Sequence, residues 1–338
     1  MAARRLQAGK LPPDLLGRML STYTQADATL IVPPGVGEDA AVIDIGDRYL
    51  VAKTDPITFA TDDIGWYAVH VNANDIAAMG ATPRYFLASI ILPESQATET
   101  LVESVFASIH RAAAELGITV CGGHTEITHG IDRPLVIGQM LGEATPDSLV
   151  RSADLQPGDA LILTKGMAIE ATAIIARERR RLLLDRGLEA ELLDRCAAFL
   201  TDPGISVVRD ARLATGAGGV RAMHDPTEGG IATALQELAT AADVGLVVDS
   251  ELLPLAPEAA RLCAEFGLDP LGVISSGALL IGCDPADAGR IVTVLQESGI
   301  TASRIGSAVH SDEGLSLVRD GGRTPLPTFS ADEITRIF

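Results

Sequence analysis

Acidic residues in three separate stretches of the sequence could together bind a metal ion. The stretches GVGEDAAVID, TDPIT and VNANDIAAMG contain Asp39, Asp55 and Asp75. Lys53 is the basic residue close to Asp55, and the negative charges belong either to solvated turns or to ligands of a cation. Carboxylate oxygens are the ligands that a hard cation such as Mg²⁺ prefers, and Mg²⁺ also binds phosphate oxygens.

Asp75 is the hardest of these residues to explain as a turn residue, because it falls inside a helix predicted at about 64–79. Asn and Asp are poor helix formers and cannot act as caps in the middle of a helix. Asn74 and Asp75 nevertheless stand directly before Ile, Ala, Ala and Met. Asn72 lies three residues before Asp75 and hence on the same helix face. We therefore expect this polar group to have a binding partner.

Two glycine-rich stretches could bind an anion. In CGGHTEITHG, Gly122 and Gly123 would let backbone N–H groups approach a phosphate, although a plain glycine-rich hairpin turn explains the stretch equally well. His124, Thr125 and Glu126 follow and could bind phosphate, metal or substrate. The sequence contains neither a P-loop nor a Rossmann glycine pattern, so these two nucleotide-binding modes are excluded.

The second stretch, HDPTEGGIATAL, predicts the start of a helix. Thr227 could cap it, and Gly229 and Gly230 would leave its first N–H groups open to an anion. Asp225 would lie beside this anion site, and His224 could titrate near neutral pH. A well-capped helix start explains Thr227 but not the two glycines, because glycine in a first turn costs roughly 0.5–1 kcal/mol.

Charge and cysteine content narrow the class of protein. The 338 residues contain 26 Lys and Arg against 45 Asp and Glu, a net charge of -19, which disfavours binding to nucleic acid or to a membrane surface. The four cysteines show no zinc-site or disulfide spacing, and we expect Cys121 to be buried. With no secretion signal and no apolar run long enough to span a membrane, a cytoplasmic location is expected.

Strands and helices alternate along the chain and predict an α/β protein. Strand ends of such proteins are where ligands bind, and the strands AAVIDI and YLVAKTD lead to the acidic residues. A helix is predicted at 98–116 and a long helical region at about 168–200. The stretch EATPDSLVRSADLQPGDA has the composition of a crossing between domains. We therefore predict two domains, 1–150 and 151–338.

The motifs, taken in order, resemble those of one superfamily. GVGEDAAVID, TDPITF, VNANDIAAMGATPRYFLASIILPE, CGGHTEIT and HDPTEGGIATALQELA are similar to motifs of the aminoimidazole ribonucleotide synthetase (PurM-like) superfamily. The superfamily also contains thiamine-monophosphate kinase, selenophosphate synthetase and the hydrogenase maturation protein HypE. Among the members of this superfamily, the stretches NDIAAMGATPRYF and HDPTEGG resemble those of HypE most.

The resemblance implies an α/β (α+β) fold of two PurM-like domains. The N-terminal domain would bind ATP and join its sheet with that of a second copy into a shared barrel, and the C-terminal domain would be an α/β sandwich. The implied cofactors are ATP and Mg²⁺. The implied metal ligands are Asp39, Asp55, Asp75 and Asp225. The implied cofactor-binding residues are Asn74, Gly122, Gly123, Thr125, Thr227, Gly229 and Gly230, and the implied catalytic residues are His124, Glu126 and His224.

The function expected from this resemblance is Mg-ATP-dependent phosphoryl transfer that activates an oxygen or similar nucleophile. The acceptor would be a small molecule or a partner protein, for example a maturation partner. HypE carries a carbamoyl group on a C-terminal cysteine, whereas this sequence has no cysteine after Cys283, and His124 stands where relatives usually carry an acid. Alternatives are thiamine-monophosphate kinase or aminoimidazole ribonucleotide synthetase activity, and a non-catalytic nucleotide-binding dimeric scaffold.

Overall fold

Two β-sheets organise the chain. The computed structural model describes Leu6 and residues 10–338. The first sheet has six strands in the order β1-β2-β3-β6-β4-β5. These strands are β1 Leu30–Val32, β2 Ala41–Asp44, β3 Tyr49–Ile57, β4 Thr82–Pro93, β5 Thr119–Thr128 and β6 Leu135–Ala144.

The second sheet has seven strands in the order β13-β12-β9-β11-β7-β10-β8. Its strands are β7 Ala160–Thr164, β8 Val220–His224, β9 Val244–Asp249, β10 Leu280–Cys283, β11 Ala302–His310, β12 Leu315–Arg319 and β13 Gly322–Pro325. The central strand β7 is buried along its whole length, as expected for an apolar strand covered on both faces.

Ten helices of the described part of the chain pack against these sheets. They are α1 Pro13–Tyr23, α2 Ile64–Ala78, α3 Glu99–Leu116, α4 Ile169–Glu178, α5 Arg180–Asp185, α6 Ala190–Ala198, α7 Val208–Ala217, α8 Gly230–Ala242, α9 Pro257–Phe266 and α10 Ala288–Glu297. The predicted α/β fold class is confirmed. No helix of the described residues is long and apolar enough to span a membrane.

The long helical region predicted at about 168–200 is interrupted. Three helices, α4, α5 and α6, occupy it. Helix α4 ends at Glu178, the backbone of the next residue, Arg179, leaves the helical region, and Gly187 after α5 has a φ of 85°. Glycine adopts this left-handed conformation without strain, so the chain can turn there between α5 and α6.

Helix α2 forms the centre of the site region because all of its residues are buried. A helix that is enclosed on every side must approach its neighbours closely. Two glycines of β6 allow this approach: a Cβ atom at Gly138 would lie 2.3 Å from Nδ2 of Asn72, and one at Gly142 would lie 2.2 Å from Cγ2 of Ile76. The sheet thus holds α2, and with it Asp75, directly against its face.

The division into domains 1–150 and 151–338 stays a prediction. Helix α2, in the first of these ranges, contacts the backbone of the second. Asn74 donates from Nδ2 to the carbonyl oxygen of Ile205 at 2.8 Å, and its Oδ1 accepts from the N–H of Val207 at 2.8 Å. Both polar atoms of this buried amide are therefore used to join α2 to the chain that leads into α7.

Candidate metal centre

Three buried aspartates converge at the carboxyl side of α2. Single ligand oxygens of Asp39, Asp75 and Asp225 all lie within 4.8 Å of one another. Asp39 comes from the turn before β2, Asp75 from α2, and Asp225 from the residue after β8. A turn beside the first sheet, helix α2 and the end of a strand of the second sheet therefore meet here, although the residues are separated by up to about half the chain.

Four carboxylate oxygens of this cluster could bind a cation. Oδ2 of Asp39, Oδ2 of Asp75 and both carboxylate oxygens of Asp225 are buried without a hydrogen-bond partner in the described part of the chain. Burial and the neighbouring charge of Asp39 raise the pKa of Asp225 to about 7. Buried carboxylates without partners are costly, and an oxygen-liganded divalent cation would satisfy them.

Lys53 brings a positive charge to the Asp75 side of this cluster. Its Nζ lies 2.8 Å from Oδ1 of Asp75 and 3.4 Å from Oδ2 of Asp55. Burial acts to lower the pKa of Lys53, but the carboxylates of Asp75 and Asp55 raise it well above its usual value. Asp55 therefore reaches the cluster through Lys53 rather than as a member of the three-aspartate group.

Asn72 fixes the backbone of Asp55. Its Oδ1 accepts from the N–H of Asp55 at 2.8 Å, and its Nδ2 donates to the carbonyl oxygens of Asp55 at 3.2 Å and of Ala68 at 2.9 Å. The polar residues of α2 thus have separate partners, as their mid-helix positions predicted. Asn72 positions Asp55, Asn74 joins the neighbouring chain, and Asp75 enters the carboxylate cluster.

His224 lies between two carboxylates, those of Asp39 and Glu237. Its Nδ1 lies 2.6 Å from Oδ1 of Asp39, and its Nε2 lies 3.1 Å from Oε2 of Glu237, which also contacts Lys10. Burial alone would lower the pKa of His224, yet the carboxylates of Asp39 and Glu237 raise it well above its usual value. The two carboxylates therefore favour the protonated form of His224, which lies in contact with Asp39 and Glu237, and its catalytic role stays a prediction.

The predicted open anion site at the start of α8 is wrong. The N–H of Gly229 donates to Oδ2 of Asp332 at 2.7 Å, and the N–H of Gly230 donates to the carbonyl oxygen of Thr227. Gly229 rather than Thr227 is the N-cap, without a side-chain cap bond. A Cβ at Gly230 would lie 2.5 Å from the carbonyl oxygen of Leu271, so close packing explains the second glycine.

The predicted loop CGGHTEIT is also wrong, because these residues form part of strand β5. Gly123 lies where β5 passes β4, and a Cβ there would be 2.1 Å from the carbonyl oxygen of Ala88. Along the register, Asp55 pairs with Gly138, Gly138 with Ala88, and Ala88 with Gly123. Three strand spacings of about 4.8 Å put β5 about 14 Å from β3.

Within one chain, the residues of β5 predicted for the site therefore lie away from the aspartates. They are Gly122, Gly123, His124, Thr125 and Glu126. Nε2 of His124 and Oε2 of Glu126 are 3.5 Å apart on the exposed edge, with side chains 72% and 57% accessible. Cys121 is exposed, contrary to the expectation that it is buried.

Sequence reasoning missed Glu237 and Asp332 altogether and did not assign Lys53 to the site. The signal for Lys53 was present, since it lies two residues before Asp55 on alternate positions of one strand, which share a face. Glu237 and Asp332 lie 13 and 103 residues away in sequence from the groups that they contact, and no local pattern marks them.

Comparisons with known proteins agree with this architecture. Residues 37–144 match the model of the AIR synthase related protein, N-terminal domain, and residues 156–318 match that of its C-terminal domain. The carbamoyl dehydratase HypE of Rhizobium leguminosarum bv. viciae is 31% identical over 89% of this chain and 86% of its own length. The carbamoyl dehydratase HypE of Cupriavidus necator is 30% identical over 92% of this chain and 84% of its own length.

A solved structure shows the same fold. The hydrogenase maturation protein HypE in complex with ATP superposes with a TM-score of 0.72 at 26% identity and covers 95% of this chain and 92% of that one. The predicted superfamily is thereby confirmed. With both domain models matched and two curated relatives aligned over most of their length, the chain belongs to the AIR synthase related (PurM-like) protein family, alongside HypE.

Proposed function

We propose that the protein is an ATP- and Mg²⁺-dependent enzyme that transfers the γ-phosphoryl group to an oxygen or similar nucleophile of a small molecule or partner protein. The single observation that carries the proposal is the buried group of Asp39, Asp75 and Asp225, in which one oxygen of Asp39, one of Asp75 and both of Asp225 have no partner in the described chain. The likeness to the HypE structure solved with ATP supports the choice of nucleotide.

The chain's residues would act by holding and neutralising charge. Asp39, Asp75 and Asp225 would bind the cation, with Asp55 beside them, and bound Mg²⁺ would neutralise charge on the β- and γ-phosphates. Lys53 would hold Asp75 and Asp55 in place. The acceptor oxygen forms a bond to the γ-phosphorus, the bond from this phosphorus to the β–γ bridging oxygen breaks, and ADP leaves.

Calorimetry tests this proposal. We expect the protein to bind ATP in the presence of Mg²⁺ and to bind it at least tenfold more weakly when EDTA removes the cation. Asp39→Asn should reproduce the EDTA result, because the variant loses one ligand oxygen and the charge that His224 contacts. Glu103→Gln, on the exposed side of α3, is the control and should bind as the unchanged protein does. Equal affinity with and without Mg²⁺ would contradict the proposal.

We propose further that two copies pair through β5. This strand is the outer strand of its sheet, and all but its last residue are exposed, with Val120 45% and Ile127 57% accessible. An edge of unpaired backbone groups with exposed apolar side chains favours pairing with another strand. A second copy of this chain offers the same edge.

The pairing is tested by mass in solution. Sedimentation velocity should give the mass of two 35.2 kDa chains. The double variant Val120→Lys with Ile127→Lys should sediment as one chain, since lysine on an edge strand opposes pairing. Leu182→Lys, exposed on α5, is the control and should leave the dimer intact. A monomer in the unchanged protein would overturn this part of the proposal.

A further inference from the structure

Asp75 links the ammonium group of Lys53 to the candidate metal centre. Its Oδ1 lies 2.8 Å from Nζ of Lys53, whereas its Oδ2 is buried without a hydrogen-bond partner in the described chain. The same carboxylate contributes an oxygen to the group that it forms with Asp39 and Asp225. Since its side chain is only 3% accessible, bulk water does not replace either contact. One buried carboxylate thus serves both an ammonium group of the chain and the aspartate cluster.

The place of this ammonium group is set by two elements of the fold. Lys53 and Asp55 occupy alternate positions of β3, so their side chains leave the same face of the strand. Nζ of Lys53 lies 3.4 Å from Oδ2 of Asp55. Asn72 of α2 accepts from the N–H of Asp55 and donates to its carbonyl oxygen, which fixes the backbone there. Lys53 is therefore located between one carboxylate of β3 and one of α2.

This arrangement has the form of a site for two cations. In enzymes that use two metal ions on one phosphoryl group, the ions lie about 3.5–4 Å apart. A carboxylate that bridges two such ions gives one oxygen to each. Asp75 gives Oδ1 to Lys53 and keeps Oδ2 without a partner, and Asp55 is a second carboxylate beside Lys53. A positive group of the chain thus occupies the place between Asp55 and Asp75.

A lysine in this place can replace a metal ion in part. Its ammonium group has three N–H donors, so two can contact Asp55 and Asp75 while the third is left for a further oxygen. It brings one positive charge where a divalent cation brings two. P-loop enzymes, which have another fold, likewise use one lysine together with one Mg²⁺ at the phosphates. One lysine and one divalent cation are therefore a workable set for phosphoryl transfer.

We propose that the ammonium group of Lys53 takes the place of a second metal ion, so that the centre formed by Asp39, Asp75 and Asp225 binds one divalent cation per chain. The inference rests on the proposed function for the existence of this centre. Its direct consequence is independent of nucleotide: loss of the ammonium group leaves Asp55 and Oδ1 of Asp75 free as ligands, and one more divalent cation should bind.

Mn²⁺ is a suitable probe, because it takes the same oxygen ligands as Mg²⁺. Electron paramagnetic resonance measures how much Mn²⁺ is bound and whether bound ions are spin-coupled to each other. The unchanged protein, without nucleotide, should bind one Mn²⁺ per chain with the spectrum of an isolated ion. Lys53→Ala should bind two, and ions about 3.5–4 Å apart should give the spectrum of a coupled pair.

Three variants are the controls for Lys53→Ala. Lys53→Arg keeps a cation at this position and should bind one Mn²⁺ per chain. Lys10→Ala removes an ion-paired lysine that contacts Glu237 instead of the cluster, and it should also bind one. Lys53→Ala combined with Asp55→Asn loses a ligand of the opened position and should return to one. Circular dichroism shows whether each variant is folded.

The number of bound ions separates this inference from the proposed function. A gain of one Mn²⁺ in Lys53→Ala supports the role of Lys53 whether or not Mg-ATP binds in the calorimetric experiment. A coupled pair in the unchanged protein, or no gain in folded Lys53→Ala, overturns that role even where Mg-ATP binding is found. If Lys53→Ala does not fold, the unchanged protein and Lys53→Arg decide: one isolated ion in both supports the inference, and a coupled pair in either overturns it.

Discussion

Asp225→Asn should make the metal-free protein more stable and the enzyme almost inactive. Asp225 is 2% exposed, its two carboxylate oxygens have no partner in the described chain, and Asp39 lies beside it. Removing its charge removes the cost of burying that charge and the repulsion from Asp39. The amide that replaces it lacks hydrogen-bond partners, which cancels part of this gain in stability. We expect the free energy of unfolding at pH 8 with EDTA to rise by roughly 1–3 kcal/mol. Mg-ATP turnover should fall about a hundredfold or more.

The pH dependence of the unfolding free energy should also reflect the raised pKa of Asp225. Between the usual value of 3.8 and its raised pKa of about 7, Asp225 binds more protons in the folded than in the unfolded state. The unfolding free energy of the unchanged, metal-free protein should therefore increase as the pH falls from 8 to 5. Urea denaturation in EDTA measures it, and the variant should show a flatter curve.

Asp147→Asn is the matched control for this variant, since Asp147 is exposed. It should leave both stability and turnover unchanged within about 0.5 kcal/mol and twofold. A loss of stability in Asp225→Asn at pH 8 would show that Asp225 has a partner in solution. Full turnover in this variant would remove it from the metal centre.

Lys53→Met should have the opposite effect on stability. It keeps the length of the side chain but leaves Asp75 and Asp55 without the cation that they contact at 2.8 and 3.4 Å. Removing one partner of a buried ion pair typically costs about 3–5 kcal/mol, because the remaining charge is left uncompensated. We expect a loss of this order in EDTA at pH 8, and partial recovery when Mg²⁺ is added.

The control for Lys53→Met is Lys10→Met. Lys10 contacts Glu237 at 3.1 Å, but its side chain is 41% accessible against 21% for Lys53. An exposed ion pair contributes at most about 1 kcal/mol, so the control should lose much less. Denaturation curves at several Mg²⁺ concentrations measure both variants. An equal loss in the two, or no recovery with Mg²⁺, would contradict the role given to Lys53.

The elements and the three clustered aspartates were largely predictable from sequence, for physical reasons. Buried strands such as β7 have apolar runs, and α2 carries Asn and Asp in mid-helix, where these poor helix formers are expected to have partners. The convergence of Asp39 with Asp225 had no local signal. Contacts between residues some 186 positions apart leave no spacing pattern in the sequence. The prediction that Asp39 and Asp225 lie together therefore came from the resemblance of the motifs, in their order, to those of the superfamily.

The glycine pairs misled because glycine has more than one use. At Gly123 and Gly230 the missing side chain allows close packing against Ala88 and Leu271, not the approach of an anion. From one sequence these cases are identical, since both require only that a Cβ be absent. At the start of α8, the N–H of Gly229 is bound by the carboxylate of Asp332. Asp332 lies far along the chain, so no local pattern could indicate this contact.

Two aspartates of the candidate metal centre, Asp39 before β2 and Asp75 in α2, adjoin the first sheet, and Asp225 follows β8 of the second sheet. A cation held by all three would clamp these sides together, while Asn74 already joins them through Ile205 and Val207. By linkage, the factor by which joining the two sides strengthens cation binding would equal the factor by which the bound cation strengthens their joining.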